Sequence, residues 1–444
     1  MALKERPINA DLPASRPGEE PVAAPKTPAP TKAPAPPRRR RKPIPAALKA
    51  IAGLFVLALV FIVAAVLGGG GGGGESPQSA APVSDAPSTP AGAPAAQTPA
   101  ELGYPAFATA NTTRVGGADP ASNAAGAALA AYPSVDEAQR PAAVTLVDAD
   151  DWPTAIAASV LMAAPVEAPI LVSAADGMSE ATSEALSALD PQGGRETGGA
   201  QIFAIGAATA PDDMKANRVR TRGAGGAAAI AALREKLVGS APKHLIVASA
   251  ANPGFAMPAA AWAARSGDPV LFTGPGKLAK PTATALEAHS KVPVYVLGPS
   301  SAISSEVVRE IAKIADRVRR VSGEDPVSSA IALARYAGGG FGWDVNDPGH
   351  GFVVARSDQP LDAAAAAPLS ASGTWGPLLL TDSADTLPAA LRGYLLDVKP
   401  GYTTDPTRAF YNHVWVIGNQ EAIDVNEQAE IDELAELAKI GGEP

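Results

Sequence analysis

Three stretches of the chain repeat one phrase. Residues 168–186 read APILVSAADGMSEATSEAL, a second version, DPVLFTGPGKLAKPTATAL, starts at Asp268, and a third, GPLLLTDSADTLPAALRGYL, starts at Gly376. Each is a Pro, three apolar residues, Ser or Thr, a turn and a helix-like run. The surroundings recur as well. An Arg-led opening (RVGGADP from Arg114, RTRGAGG from Arg220, RVSGEDP from Arg320) precedes an alanine-rich helical stretch, an apolar strand-type run (AVTLVDA, HLIVASA, GFVVARS) and a second alanine-rich helix. Each copy closes on a strand that ends in glycine: Gly206, Gly298 and Gly418. The opening arginines are 106 and 100 residues apart, and Thr154–Pro169, Gly254–Pro269 and Asp362–Pro377 align without gaps. A recurrence this regular is internal duplication. Units of about 100 residues can each hold a core, unlike short solenoid repeats.

Strands of four to six apolar residues alternating with helices predict parallel sheet covered on both faces. Crossovers are then right-handed. The expected fold is α/β: three tandem, small, three-layer modules, Toprim- or flavodoxin-like, with mainly parallel sheets. The expected boundaries are 112–218, 219–317 and 318–437. Helix starts carry capping signals, as at Ser304 with Glu306 in the first turn. Apolar residues make up 46% of the chain but aromatics only 5%, so the cores must be built from Ala, Val, Leu and Ile. No cysteine is present, which excludes disulfides, zinc–thiolate sites and thiol nucleophiles.

The segment before the modules reads differently. Residues 1–45 are rich in Pro, Ala and charge and predict a disordered basic segment ending in RRRRK (Arg38–Lys42). Residues 46–67 predict a transmembrane helix, its last eighteen residues uncharged, flanked by basic residues on one side and seven glycines on the other. The basic side stays in the cytoplasm, so an uncleaved signal anchor places everything after Leu67 outside. Residues 68–111 then form a Gly/Pro/Ala/Ser linker. Residues 1–49 hold eleven Lys/Arg and four Asp/Glu, a balance of +7, so a net charge of −9 leaves −16 on the remainder. That acidic remainder argues against nucleic acid as a partner.

Few catalytic constellations can be found. DADDW places Asp148, Asp150 and Asp151 at a predicted strand end, where carboxylates could hold a metal or act in a hydrolase; a polar strand-to-helix loop is the alternative. The four histidines lack ligand spacing. No nucleophile elbow or Walker loop occurs. The opening arginines Arg114, Arg220 and Arg320 could fork onto phosphate or carboxylate, or form salt bridges within a module. The third copy carries two insertions, 338–351 and 400–415, holding Trp343, Tyr402, Phe410, Tyr411 and Trp415. Aromatic loops suit sugar stacking, a protein contact or packing beneath the loop. Ligands of open α/β sheets sit beyond the carboxyl ends of strands, which points to Ser173, Thr273, Thr381 and Asp382, or to Asp148, Ser249 and Arg356.

The order Arg-Val-x-Gly, helix, strand, alanine-rich helix, Pro-apolar-triplet strand, helix, and strand ending in glycine resembles the cell-wall-binding repeat type 2 family. LDAAAAAPLSASGTWGPLLLTDS (Leu361–Ser383) matches most fully, and the resemblance spans roughly residues 112–437. The family's helix-start Asp stands at Asp362 but is Thr154 and Gly254 in the other copies. The resemblance implies noncovalent attachment to an anionic wall polymer by three modules in a pseudo-threefold ring. It also implies a binding region near the triplets Ile170–Val172, Val270–Phe272 and Leu378–Leu380. From the residues alone, those triplets read as buried central strands. The expectation is a non-enzymatic, membrane-anchored protein of the Gram-positive envelope. Its partner would be an anionic cell-wall polymer or a peptidoglycan-associated glycan. It needs no cofactor, although Ca²⁺ or Mg²⁺ could bridge acidic protein and acidic polymer. The alternatives are an envelope interaction scaffold, or a hydrolase using the Asp148/Asp150/Asp151 cluster.

Overall fold

The computed structural model describes residues 107–441. The segment 1–45, the expected membrane span 46–67 and nearly all of the linker lie outside the described residues. No helix among the described residues is long and apolar enough to cross a membrane.

Twelve strands build three sheets: β1 Thr112–Val115, β2 Val144–Asp148, β3 Ile170–Ser173, β4 Ile202–Ile205, β5 Ala216–Val219, β6 Leu245–Ser249, β7 Val270–Thr273, β8 Val294–Leu297, β9 Val318–Val321, β10 Gly351–Arg356, β11 Leu378–Thr381 and β12 His413–Ile417. The sheets run β3-β2-β4-β5, β7-β6-β8-β9 and β11-β10-β12-β1, with every one of these pairings parallel. A short strand, Phe107–Ala108, adds antiparallel to β1.

The Arg-led strand that opens each copy therefore completes the sheet of the copy before it. β5 finishes the first sheet and β9 the second. β1, the first of the twelve, closes the third sheet beside β12, from the far end of the chain. Three modules linked by exchanged strands form a closed ring, in which each sheet takes its last strand from the next module around the ring.

The apolar triplets lie on β3, β7 and β11, the outermost strand of each sheet, and not on a central strand. They are buried all the same. The helices Pro120–Ala131, Gly223–Val238 and Pro326–Arg335 each pack on the outer strand of their own module. Alternation along the strands divides the apolar residues between two faces. In the first module Ile170, Val172, Phe203 and Ile205 face a core shared by all three modules, while Leu146, Leu171 and Ile202 face a separate outer core closed by Ala185, Leu186 and Leu189. The second module repeats this with Leu271, Val296 and Ile311 on its outer side. Each module thus has less of a private core than its length suggests.

The shared core explains the alanines. The second helix of each copy (Trp152–Ala158 with its continuation Ser159–Met162, Pro258–Ser266, and Pro360–Ala365 with Ala367–Ala371) packs against the corresponding helices of the other two. Ala155, Ala158, Ala260, Ala263, Ala364 and Ala367 have no exposed surface. Three helices can converge this closely only when the facing side chains are small. Alanine also loses no rotamer freedom on burial. A proline in the first turn of each central helix fixes φ without losing a needed donor.

Size is matched across the seams between modules. Where the first helix of one module meets the central helix of the previous one, the third-to-first seam holds Asn123 against Asp362, with Asn123 Nδ2 donating to Asp362 Oδ1 at 2.8 Å. The first-to-second seam has Gly226 against Thr154. A Cβ on Gly226 would lie 2.2 Å from Thr154 Cγ2 and 2.4 Å from Thr221 O. At the second-to-third seam Gly254 lies against Pro326, where a Cβ on the glycine would lie 2.9 Å from the proline ring. The two seams without an aspartate are instead packed closely around a glycine, Gly226 in one and Gly254 in the other.

Candidate ligand-binding rim

The four numbered strands of each sheet point the same way, so their carboxyl ends and following loops form one rim per module. The closing glycines sit here with positive φ, 70° at Gly206, 90° at Gly298 and 96° at Gly418, which lets the chain turn back after the strand.

The residues that follow the triplets hold this rim together. Ser173 is buried and its Oγ donates to Thr209 O at 3.2 Å and accepts from Thr209 N. Buried Thr273 donates to Lys277 O and accepts from Ala279 N, both at 2.9 Å. Buried Thr381 donates to Ser383 O. These hydroxyls staple the loops that follow their strands. Asp382 is exposed beside them.

The opening arginines separate into two kinds. Arg114 is 2% exposed and donates to five acceptors: Gln428 Oε1, Gly418 O, Asn419 O, Ile423 O and Asp424 O. Burial lowers its pKa to about 10. Arg320, half-buried, makes the corresponding bonds in the second module, to Gly298 O and to Ile303 O at 2.7 Å. Apart from Gln428 Oε1, the partners of both are carbonyls of their own sheet's closing loop, and none of the partners is a carboxylate. Strand register assigns the third equivalent. Arg114 stands opposite Val416, Arg320 opposite Val296, and Arg218 opposite Ala204. The counterpart is Arg218, two residues before Arg220. The Gly-rich run RTRGAGG imitates the opening motif in the wrong frame, because the loop before the helix Gly223–Val238 is one residue shorter. Arg218 and Arg220 are both exposed.

The acid cluster is largely engaged. Buried Asp148 accepts from Asp150 N and from Ala207 N, and pairs with Arg222 Nη2 at 3.0 Å. Asp151 caps its own helix at Thr154 N and also accepts from Gly223 N, at the start of the next module's first helix. Arg222 lies 3.7 Å from it as well. The strand-to-helix loop thus acts as a seam clamp, with only Asp150 exposed. Among the described residues, no group of three or more His, Asp or Glu converges to hold a metal ion.

The aromatic insertions also differ from each other. Trp343 is 9% exposed and packs edge-on against Trp262 at 5.4 Å. Phe341 stacks on Tyr295 at 3.8 Å. His244 lies beneath them. Its Nδ1 donates to Asp268 Oδ2, which also accepts from Trp262 Nε1, and its Nε2 donates to Gly339 O. Two acceptors facing one imidazole favour the charged ring, and the bond to Asp268 raises its pKa. Insertion 338–351 is therefore a strap from the third module onto the second. Tyr402 is half-buried in a two-residue pairing with Ala438–Lys439. The aromatics available at the surface of the other insertion are Phe410, 69% exposed, and Tyr411, 57% exposed.

Two cavities open on the rim. One, about 260 Å³, is lined by Gly206–Ala210, Asp212, Arg218 and Arg220 in the first module. The other, about 230 Å³, lies on the third-to-first seam among Asp119, Asn123, Arg356, Asp358, Asp362 and Asn419. Burial raises Asp362 to about 6 there. A larger groove of about 780 Å³ runs between the helices Gly223–Val238 and Lys280–Ala288 and reaches the loops that precede β6 and β7, at the opposite end from the rim. Its walls mix alanines such as Ala228, Ala231 and Ala285 with charged residues such as Arg234, Glu235 and Lys280.

A family model described as "Cell wall binding domain 2 (CWB2)" matches residues 216–308 and 320–426, in the second and third modules. No curated protein matches the chain by sequence. Among solved structures, Cwp8 from Clostridium difficile shares the fold at a TM-score of 0.53 and 18% identity, over 74% of this chain and 52% of its own. Cwp6 from Clostridium difficile does so at 0.56 and 18%, over 74% of this chain and 48% of its own. The chain thus spans about half the length of both structures.

Proposed function

The second and third modules belong to the cell wall binding domain 2 family, and from that premise we propose that the protein is a non-catalytic cell-wall-associated surface protein. It holds an anionic wall polymer, or a peptidoglycan-associated glycan, on the rim of a three-module ring. In this reading residues 46–67 tether it to the cytoplasmic membrane, with the N-terminus inside and the modules outside. The observation that carries the proposal is the strand-closed repetition of one rim three times, in a ring of which two modules match this family. The engagement of Asp148 and Asp151 in capping and ion pairing supports an absence of catalysis at that cluster.

Charge sets the conditions. The chain beyond residue 49 carries −16 and repels a polyanion unless cations are local. Ca²⁺ or Mg²⁺ bridging polymer to exposed rim carboxylates such as Asp382 is part of the proposal. Sedimentation of the full-length protein with purified walls, with and without chelator, tests it. Binding that chelator weakens supports bridging, and failure to sediment in either condition defeats the wall reading.

The exposed pair Phe410 and Tyr411 favours a second reading, an envelope interaction scaffold. Under that reading Phe410→Ala with Tyr411→Ala abolishes capture of a protein partner and leaves wall sedimentation unchanged.

A further inference from the structure

In the second and third modules the arginine on the exchanged strand fills its own socket. Arg320 reaches the carbonyls of Gly298 and Ile303, and Arg114 those of Gly418 and Ile423. The two isoleucines sit on the run into a helix, Ser305–Ile314 in one module and Val425–Ala435 in the other. The first module has no such helix, and residues 206–215 lead from β4 to β5 by a short loop. Arg218 holds the same register position and has no carbonyl of the Ile303 type to reach. It is exposed, and so is Arg220.

Residues two apart on an extended chain project to the same side, roughly 6–7 Å apart. Arg218 and Arg220 both line the 260 Å³ cavity above Gly206–Ala210. Neither guanidinium makes a hydrogen bond or ion pair with any described residue. The floor is already organised, since Ala207 N is held by Asp148 and Thr209 N by Ser173. Asp212 is the one carboxylate lining the cavity.

We propose that this cavity is an oxyanion subsite, in which the forks of Arg218 and Arg220 take one phosphate or carboxylate group of a polymer. A guanidinium presents its donors in a plane that matches two oxygens of such a group. The site exists because the first module lacks the helix and the run into it, whose carbonyls at Ile303 and Ile423 engage the equivalent arginine elsewhere. It deepens the wall-polymer reading and rests on it for the identity of the polymer, while the anion chemistry stands on the arginines alone.

The test uses full-length protein in detergent with fluorescent polyphosphate and fluorescent polygalacturonate as separate probes, alongside wall sedimentation. Arg218→Ala with Arg220→Ala is expected to weaken binding of at least one probe by tenfold or more, with an unchanged melting curve because both side chains are exposed. Arg218→Lys with Arg220→Lys retains charge without the fork and recovers only part of the affinity. Asp212→Asn strengthens binding severalfold. Which probe responds identifies phosphate or carboxylate. Double-alanine protein that binds both probes and walls like wild type overturns the subsite and leaves the wall reading standing. Arg-dependent probe binding without wall sedimentation keeps the subsite and removes the wall reading.

Discussion

Arg114 stands opposite Val416 in parallel register, 302 positions apart in a 444-residue chain. Its guanidinium donates to Gly418 O and Ile423 O just beyond β12. One residue thus joins strand pairing and side-chain bonding at the point where the ring closes.

Replacing that residue gives the first prediction. Arg114→Ala leaves buried carbonyls of the third module without donors and should cost about 3 kcal/mol. Arg320→Ala, which removes two bonds from a half-buried side chain, should cost roughly half as much. Arg218→Ala should be near neutral. Urea melts of the three variants give the order, and equal effects would remove the distinction between clasp and free arginine.

The third-to-first seam should respond to pH. Burial raises Asp362 to about 6, with Asp358 and Asp119 adding to the rise and the bond from Asn123 opposing it. The folded chain therefore holds this proton more tightly than the unfolded chain. The contribution is favourable below the ordinary aspartate range and is lost as pH rises through about 6. Asp362→Asn keeps an acceptor for Asn123 and cannot ionise. It should be more stable than wild type at pH 7.5 by on the order of 2 kcal/mol and equal to it near pH 4. A difference that does not vary with pH contradicts this.

At the first-to-second seam Gly226→Ala places a methyl within 2.2 Å of Thr154 Cγ2 and 2.4 Å of Thr221 O. A loss of about 2 kcal/mol is expected. Adding Thr154→Ser removes the Cγ2 methyl and should recover part of the loss, because the Thr221 carbonyl stays. Full recovery, or none, would show the seam to be packed differently.

Trp343→Ala should destabilise by about 3–4 kcal/mol, since it empties a buried site beside Trp262 and loosens the strap. Phe410→Ala with Tyr411→Ala should leave the melt within about 0.5 kcal/mol of wild type, both being exposed. Thermal unfolding of both variants checks this.

Much of this architecture is legible in the sequence. Runs such as VTLVD, LIVAS and HVWVI are strands, the closing glycines do turn at positive φ, and Ser304 does cap at Val307 N. These are local properties of spacing and side-chain chemistry. Strand order is not local. The phrase PILV predicts a buried strand, but its place at the sheet edge depends on which helix covers it. The exchange of β1, β5 and β9 depends on pairings across module boundaries, which no single copy encodes. Arg218 was hidden for a related reason. In the other copies its equivalents bond carbonyls at Ile303 and Ile423, on a run into a helix that the first module lacks, and RTRGAGG is a closer match to the motif than the true register. For Trp343 the sequence leaves stacking on a ligand and packing beneath the loop both open, because the residue it packs on, Trp262, lies in another module.

The proposed role of the ring is to hold an anionic wall polymer. The most direct measurement is co-sedimentation of full-length protein with native walls and with walls from which the phosphodiester-linked and acidic polymers have been chemically stripped. Saturable binding to native walls is expected, falling at least tenfold on stripped walls. Equal binding to both would contradict it.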